Sequence, residues 1–306
     1  MDIKRYLDPE RFKNAKKDLP PLVGFINRSL GEYSLQLREN YFNIYYQGNS
    51  LAKVILNKNG TYSAEIHKRF LYSCKPDMIL KKPDKILEKL ERYSKKNSGK
   101  NSDYICFSRI KPEDFHRFFC RDHLKRISAR IRERGYGEEI TFEQVLITDN
   151  PPSEKFIIID RQVADHKNKV QMDLLALERA SVDKPFHFVV MEVKLGRNPE
   201  LHEKVGEQLN GYVKHIKKHI KDYATCYKEN YRQKKELGLL GSSLPNDIEI
   251  DENTVEGLIV VGGYSGLAKQ ALGNLCQKIK EKRWDIKVQR MRNKIKIDNK
   301  SYCDES

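Results

Sequence analysis

Charged residues interrupt an apolar run at one informative place in this chain. Over residues 189–195 the order Val-Val-Met-Glu-Val-Lys-Leu sets Glu192 and Lys194 two positions apart. On a β-strand both project from one face, the face shared by Phe188 and Val190. The preceding apolar run, residues 170–178, carries Asp173, and the connection over residues 179–185 centres near position 182. A hairpin about that centre pairs Asp173 with about position 191, which brings it beside Glu192. Two carboxylates at one end of a sheet repel each other unless a cation intervenes, and hard oxygen donors select Mg²⁺ or Mn²⁺. A lysine next to them can orient or deprotonate a water, or stabilise charge developing on a phosphate.

Strands and helices must hold those residues in place. Residues 156–162, 170–178 and 187–196 read as three strands, and Asn198-Pro199-Glu200 opens a helix bearing Val205, Leu209, Tyr212, Ile216 and Ile220. Residues 257–264 form a short buried strand, 267–282 a helix and 284–291 a last strand. Ahead of them, residues 112–134 carry Cys120, Leu124, Ile127 and Ile131 at helical spacing, with Gly135 to end the helix. The order is α-β-β-β-α-β-α-β. His215 and His219 are four apart but lie among lysines, which reads as a basic solvated face. Gly262-Gly263-Tyr264-Ser265-Gly266 lacks phosphate-loop spacing and reads as a tight turn.

An aspartate at the mouth of one strand, Glu-x-Lys on the next and a helix after it resemble the PD-(D/E)XK nuclease superfamily, the restriction-endonuclease-like fold. Gln208 and Tyr212 on that helix look like the QxxxY motif of its RecB-like and lambda-exonuclease-like branches, and at i, i+4 they share a helical face. The resemblance covers roughly residues 112–291, and no proline precedes Asp173. It implies an αβββαβ core with a mixed sheet. In that core Asp173, Glu192 and the carbonyl of Val193 bind Mg²⁺ or Mn²⁺, Lys194 serves the attacking water, and Gln208 and Tyr212 position the lysine or the DNA backbone. Relatives often add an acid or histidine from the first core helix, for which Glu113 and His116 are the candidates. Asp160, Asp165 and Glu143 are alternatives if the strand register differs.

The rest of the chain suits that chemistry. Fifty-eight Lys and Arg against forty-three Asp and Glu give a net charge of +15, which favours a polyanion, nucleic acid before an anionic membrane. With 39% hydrophobic residues the 306-residue chain can bury a core, enough for two domains. Period-two runs over residues 34–67, split by turn signals at Gly48-Asn49 and Asn59-Gly60, form a β-meander. Residues 1–104 thus read as a smaller α+β module, joined by a polar basic linker at residues 94–103 to a nuclease-like domain at 105–306. The module is expected to move relative to that domain. Its Tyr41, Phe42, Tyr45, Tyr46 and Tyr62 among lysines suit nucleic-acid stacking or a protein partner. Six cysteines without CxxC spacing indicate neither a disulfide framework nor a zinc ribbon and read as reduced, mostly structural thiols. No apolar run is long enough to span a membrane, and the start lacks a secretion signal, so a cytoplasmic protein is expected.

The functional expectation is a metal-dependent nuclease that hydrolyses DNA by a metal-activated water, in genome defence or repair at the family level. The alternatives are a non-catalytic DNA-binding protein on the same fold and a metal-dependent ribonuclease.

Overall fold

The computed structural model describes residues 3–72, 85–93, 95–97, 103–135, 137–165, 170–263 and 265–291. Among the described residues two β-sheets organise an α/β chain. Helices α1 (Pro9–Asp18) and α2 (Pro20–Asn27) lead into strands β1 (Tyr33–Leu37), β2 (Tyr41–Tyr46), β3 (Asn49–Leu56) and β4 (Tyr62–His67). Asp8 caps α1 by accepting the Arg11 amide at 3.0 Å, with Pro9 in the first turn. The strands pair antiparallel in chain order, as their short hairpin connections require. Gln47 and Gly48 both have positive φ, the geometry that closes a two-residue hairpin with the right twist.

Helix α3 (Lys85–Glu91) and strands β5 (Lys95–Asn97) and β6 (Tyr104–Ile110) follow, and β6 pairs with both β4 and β5. Helices α4 (Pro112–Phe118) and α5 (Arg121–Glu133) replace the single helix expected over residues 112–134. Phe118 and Phe119 are both buried, which one amphipathic stripe does not achieve for successive residues, and Cys120 is extended at the break. Both helices belong to the N-terminal body. One hydrophobic cluster joins Phe42, Val54 and Phe107 to Phe115, Leu124, Ile127 and Ile131. The boundary expected at residues 104–105 is therefore misplaced, because β6 hydrogen-bonds to β4 and the cluster runs on through α5. The expected linker lies mostly outside the described residues, as do Cys74, Cys303 and Tyr264. Cys106, Cys120, Cys226 and Cys276 are free thiols.

The second half opens with α6 (Glu138–Asp149), a helix whose β-branched residues conceal its period. It continues through β7 (Phe156–Asp165), β8 (Val170–Glu178), β9 (Phe186–Leu195), α7 (Glu200–Glu203), α8 (Val205–Lys218), α9 (Ile220–Glu236), β10 (Ile250–Gly262), α10 (Ser265–Lys282) and β11 (Ile286–Arg290). Strand order is β11-β10-β9-β8-β7, with β7, β8 and β9 antiparallel and β9, β10 and β11 parallel. Parallel neighbours need crossovers, which α7 to α9 and then α10 supply. Strand alternation sorts the two faces. Leu175, Leu177, Phe188 and Val190 pack with α8, α9 and α10, whereas Leu174, Ala176, Val189 and Met191 pack with Leu146 of α6.

The two halves are docked through polar contacts, where the sequence reading expected a mobile module. Arg5 Nε and Arg38 Nη1 donate to opposite oxygens of Asp160 at 2.8 and 2.9 Å. Lys234 of α9 donates to Gln36 Oε1 at 2.7 Å and to the Ile159 carbonyl. The Leu7 amide and carbonyl both bond the Gln233 side chain, at 2.8 and 2.7 Å. Among the described residues no helix is long and apolar enough to cross a membrane.

Candidate active site

Register brings the predicted acids together. Leu174 pairs with Met191, and one further step sets Asp173 opposite Glu192, where opposed side chains share a face. Asp173 Oδ2 accepts the Val193 amide at 3.0 Å. Glu192 is only 1% exposed; its Oε1 lies 3.0 Å from Lys194 Nζ, which also reaches Glu200 Oε2 at 3.2 Å. Among the described residues the other oxygen of Glu192, Oε2, is buried without a hydrogen-bond partner.

The electrostatics follow from that crowding. Burial and the facing Asp173 push Glu192 up to about 7, although Lys194 pulls the other way. Burial raises Asp173 as well, against the Val193 amide and Lys194. For Lys194, burial disfavours the charge, but Glu192 and Asp173 outweigh it and raise its pKa. Glu192 and Asp173 favour its ammonium form, which can orient a carboxylate or stabilise phosphate charge.

Gln208 and Tyr212 arrive at the same place. Gln208 Nε2 donates to the Tyr212 hydroxyl at 2.7 Å. Burial raises the pKa of that phenol; it accepts the Gln171 amide, and Glu192 and Asp173 lie close enough to raise it further. Tyr212 also packs in the core on the α8 side of the sheet, so one ring serves both roles.

Helix α6 supplies two more carboxylates. Burial and then Asp173 push Glu143 up to about 7, with Arg161 opposing. Glu143 Oε2 accepts Arg161 Nη2 at 3.1 Å, while Glu139 Oε1 accepts the Leu195 amide at 3.2 Å and Asn198 Nδ2 at 2.6 Å. Glu139 raises Asp173 in turn. Gly262 permits this approach, since a Cβ there would stand 2.3 Å from the Phe142 ring of α6. The glycine read as part of a tight turn thus also seats a helix. Glu139 and Glu143, four apart and followed by Leu146, are the signal that could have revealed that helix. A cleft of about 480 Å³ opens beside Glu139, between α6 and Arg197-Asn198.

The remaining candidates lie elsewhere. Glu113 and His116 are exposed on α4 in the N-terminal half, because that helix turns its phenylalanines inward. Asp160 is consumed by Arg5 and Arg38. Asp165 stands 3.4 Å from His215 Nε2, so His215 is mostly buried and not part of a solvated basic face. Glu178, His187 and Glu256 bring ligand atoms within 4.8 Å of one another, but Lys287 Nζ, 2.5 Å from Glu256, already supplies positive charge there.

The donor set around Glu192 fits a hard divalent cation. It offers oxygen donors, an excess of acid over base, and a buried carboxylate oxygen without a partner among the described residues. Comparison of the chain with protein-family models, curated proteins and solved structures finds no match.

Proposed function

We propose that this chain is a Mg²⁺- or Mn²⁺-dependent nuclease that hydrolyses DNA phosphodiester bonds on a restriction-endonuclease-like core. The observation that carries the reading is the buried, unpartnered Glu192 Oε2 facing a second carboxylate, Asp173, beside a lysine held as an ammonium. The order α6, β7, β8, β9, α8, β10 around it, with α7 and α9 as additional helices, supports the αβββαβ reading that the motif resemblance implies. Asp173, Glu192 and the Val193 carbonyl would hold the cation, with Glu143 as a further carboxylate. A bound divalent cation supplies Lewis acidity and lowers the pKa of water.

The protein residues then divide the remaining work. Lys194, fixed between Glu192 and Glu200, keeps Glu192 oriented and stabilises negative charge on a scissile phosphate. Gln208 and Tyr212 line the approach from α8. The chain's +15 charge draws a polyanion to the cleft.

Supercoiled and linear DNA, with matched RNA strands, incubated with Mg²⁺, Mn²⁺ or EDTA, test the proposal. Metal-dependent DNA cleavage is expected. Tight, salt-sensitive DNA binding without cleavage would favour a binding protein on this fold, and cleavage confined to RNA would favour a ribonuclease.

A further inference from the structure

Strand β7 is irregular where the two halves meet. Its pairing with β8 shifts between Ile158 and Asp160, and Gln162 has a φ of 50°. Such bulges bend a strand and re-aim a side chain. Here the N-terminal half grips the irregular backbone: Arg38 Nη2 donates to the Arg161 carbonyl at 3.0 Å, and Arg5 Nη2 to the Gln162 carbonyl at 3.1 Å. The same two arginines bind the Asp160 carboxylate, whose Oδ1 also accepts the Arg161 amide at 2.8 Å.

The Arg161 side chain, 0% exposed, leaves that anchored backbone toward α6. Its two terminal nitrogens take different partners, Nη1 donating to Gln144 Oε1 at 2.8 Å and Nη2 to Glu143 Oε2 at 3.1 Å. The guanidinium lies 4.8 Å from the Tyr45 ring of β2. Beside it the β2–β3 hairpin touches α6 directly. A Cβ on Gly48 would come within 2.4 Å of the Ile140 side chain and 2.7 Å of the Ile140 carbonyl. Gln144 Nε2 also donates to the Gly31 carbonyl at 2.8 Å.

We infer that Arg161 is a positioning residue that aims Glu143 into the Asp173/Glu192 site, and that the N-terminal half, through Arg5, Arg38 and Tyr45, is the scaffold that aims Arg161. This rests on the proposed metal site and adds to it a reason for the N-terminal half. That half is not a detachable recruiting module but part of the support of the active site. A planar fork is required, because one side chain must meet an amide oxygen and a carboxylate oxygen at once; lysine keeps the charge and loses that geometry.

Calorimetric titration of Mn²⁺ into the full-length protein tests the inference without reference to cleavage. Removing a group that orients a ligand costs about 10- to 100-fold in metal affinity. Arg161→Lys, folded by circular dichroism, is expected to bind Mn²⁺ within that range more weakly than wild type. Tyr45→Leu, which removes the ring beside the guanidinium together with a hydroxyl that accepts Asn43 Nδ2 at 3.3 Å, should shift affinity the same way by a smaller factor. In a Glu143→Gln background Arg161→Lys should add no further loss; should Glu143→Gln alone abolish binding, the single Arg161→Lys affinity decides. Wild-type or tighter binding by Arg161→Lys overturns the inference, as does an equal loss with and without Glu143. If Arg161→Lys does not fold, wild-type affinity in Tyr45→Leu overturns it. A wild-type protein that binds no Mn²⁺ sinks the metal site itself, and this inference with it.

Discussion

Asp160 on β7 and Glu192 on β9 are equally hidden from water, at 0% and 1% exposure, yet they live in opposite electrostatic surroundings. Around Asp160 burial works against the charge, but Arg38, Arg5 and Lys234 outweigh it and hold the carboxylate below its usual range. The Tyr227 hydroxyl adds a bond at 3.0 Å. Around Glu192 stand Lys194 and a facing aspartate, one of its oxygens has no partner among the described residues, and its pKa moves up to about 7. Burial does not separate the two residues; charge balance does. A matched buried acid holds the fold together, whereas an unmatched one is destabilising unless something positive completes it.

Substitutions should therefore behave differently in the two places. The largest effect is expected at the unmatched site: Glu192→Gln or Asp173→Ala should reduce DNA cleavage to background in a gel time course, while the protein still folds. Lys194→Ala leaves the carboxylates and loses the ammonium, so the rate should fall by roughly 10²–10³. At the matched site the loss should appear in stability. Asp160→Asn leaves Arg5, Arg38 and Lys234 buried without their counter-charge and should cost about 3–5 kcal/mol in urea unfolding.

Lys234 sharpens the contrast through pH. Burial lowers its pKa to about 8 from 10.5, with Asp160 only partly offsetting that. A cation whose pKa is depressed on folding burdens the folded state fully below the folded value, and the burden lifts as pH rises toward the unfolded value. Wild type should therefore gain about 2 kcal/mol relative to Lys234→Met between pH 8 and pH 10, read from paired urea curves. A flat difference would mean that Asp160 offsets the burial of the ammonium in full. The smallest effect is expected from Gln208→Ala, which removes one hydrogen bond to Tyr212, about 1 kcal/mol or roughly fivefold in rate.

The carboxylate pair was legible because strands announce themselves. Period two, a symmetric hairpin and an abrupt Glu-x-Lys at an apolar strand's end place Asp173 and Glu192 together from spacing alone. Helix α6 was not legible, since Ile140, Thr141, Val145, Ile147 and Thr148 suit a strand as well as a helix, and Glu143 stood only as an alternative. Helix α9 carries its stripe as Tyr223, Tyr227 and Tyr231 among lysines, where polar neighbours mask it. The docking of the two halves lay further out of reach, because Arg5 and Asp160 are 155 residues apart and nothing local marks either as the other's partner. Glu113 and His116 lie off the site for the same reason: nothing local shows that their helix packs into the N-terminal cluster.

Thermal unfolding of wild type and Glu192→Gln at pH 8, in EDTA and in Mn²⁺, tests most directly the claim that Glu192 is an unmatched charge awaiting a cation. A carboxyl whose pKa is raised on folding lends stability below its unfolded value that is lost as pH rises through about 7, so at pH 8 the metal-free wild type bears the cost. Glu192→Gln should then be the more stable of the two in EDTA, since Lys194 keeps Glu200. Mn²⁺ at a hundred times its dissociation constant should stabilise wild type by about 2.7 kcal/mol and leave the variant unchanged. A wild-type protein indifferent to Mn²⁺, together with a variant less stable than wild type in EDTA, would show instead that Glu192 is a satisfied structural acid like Asp160.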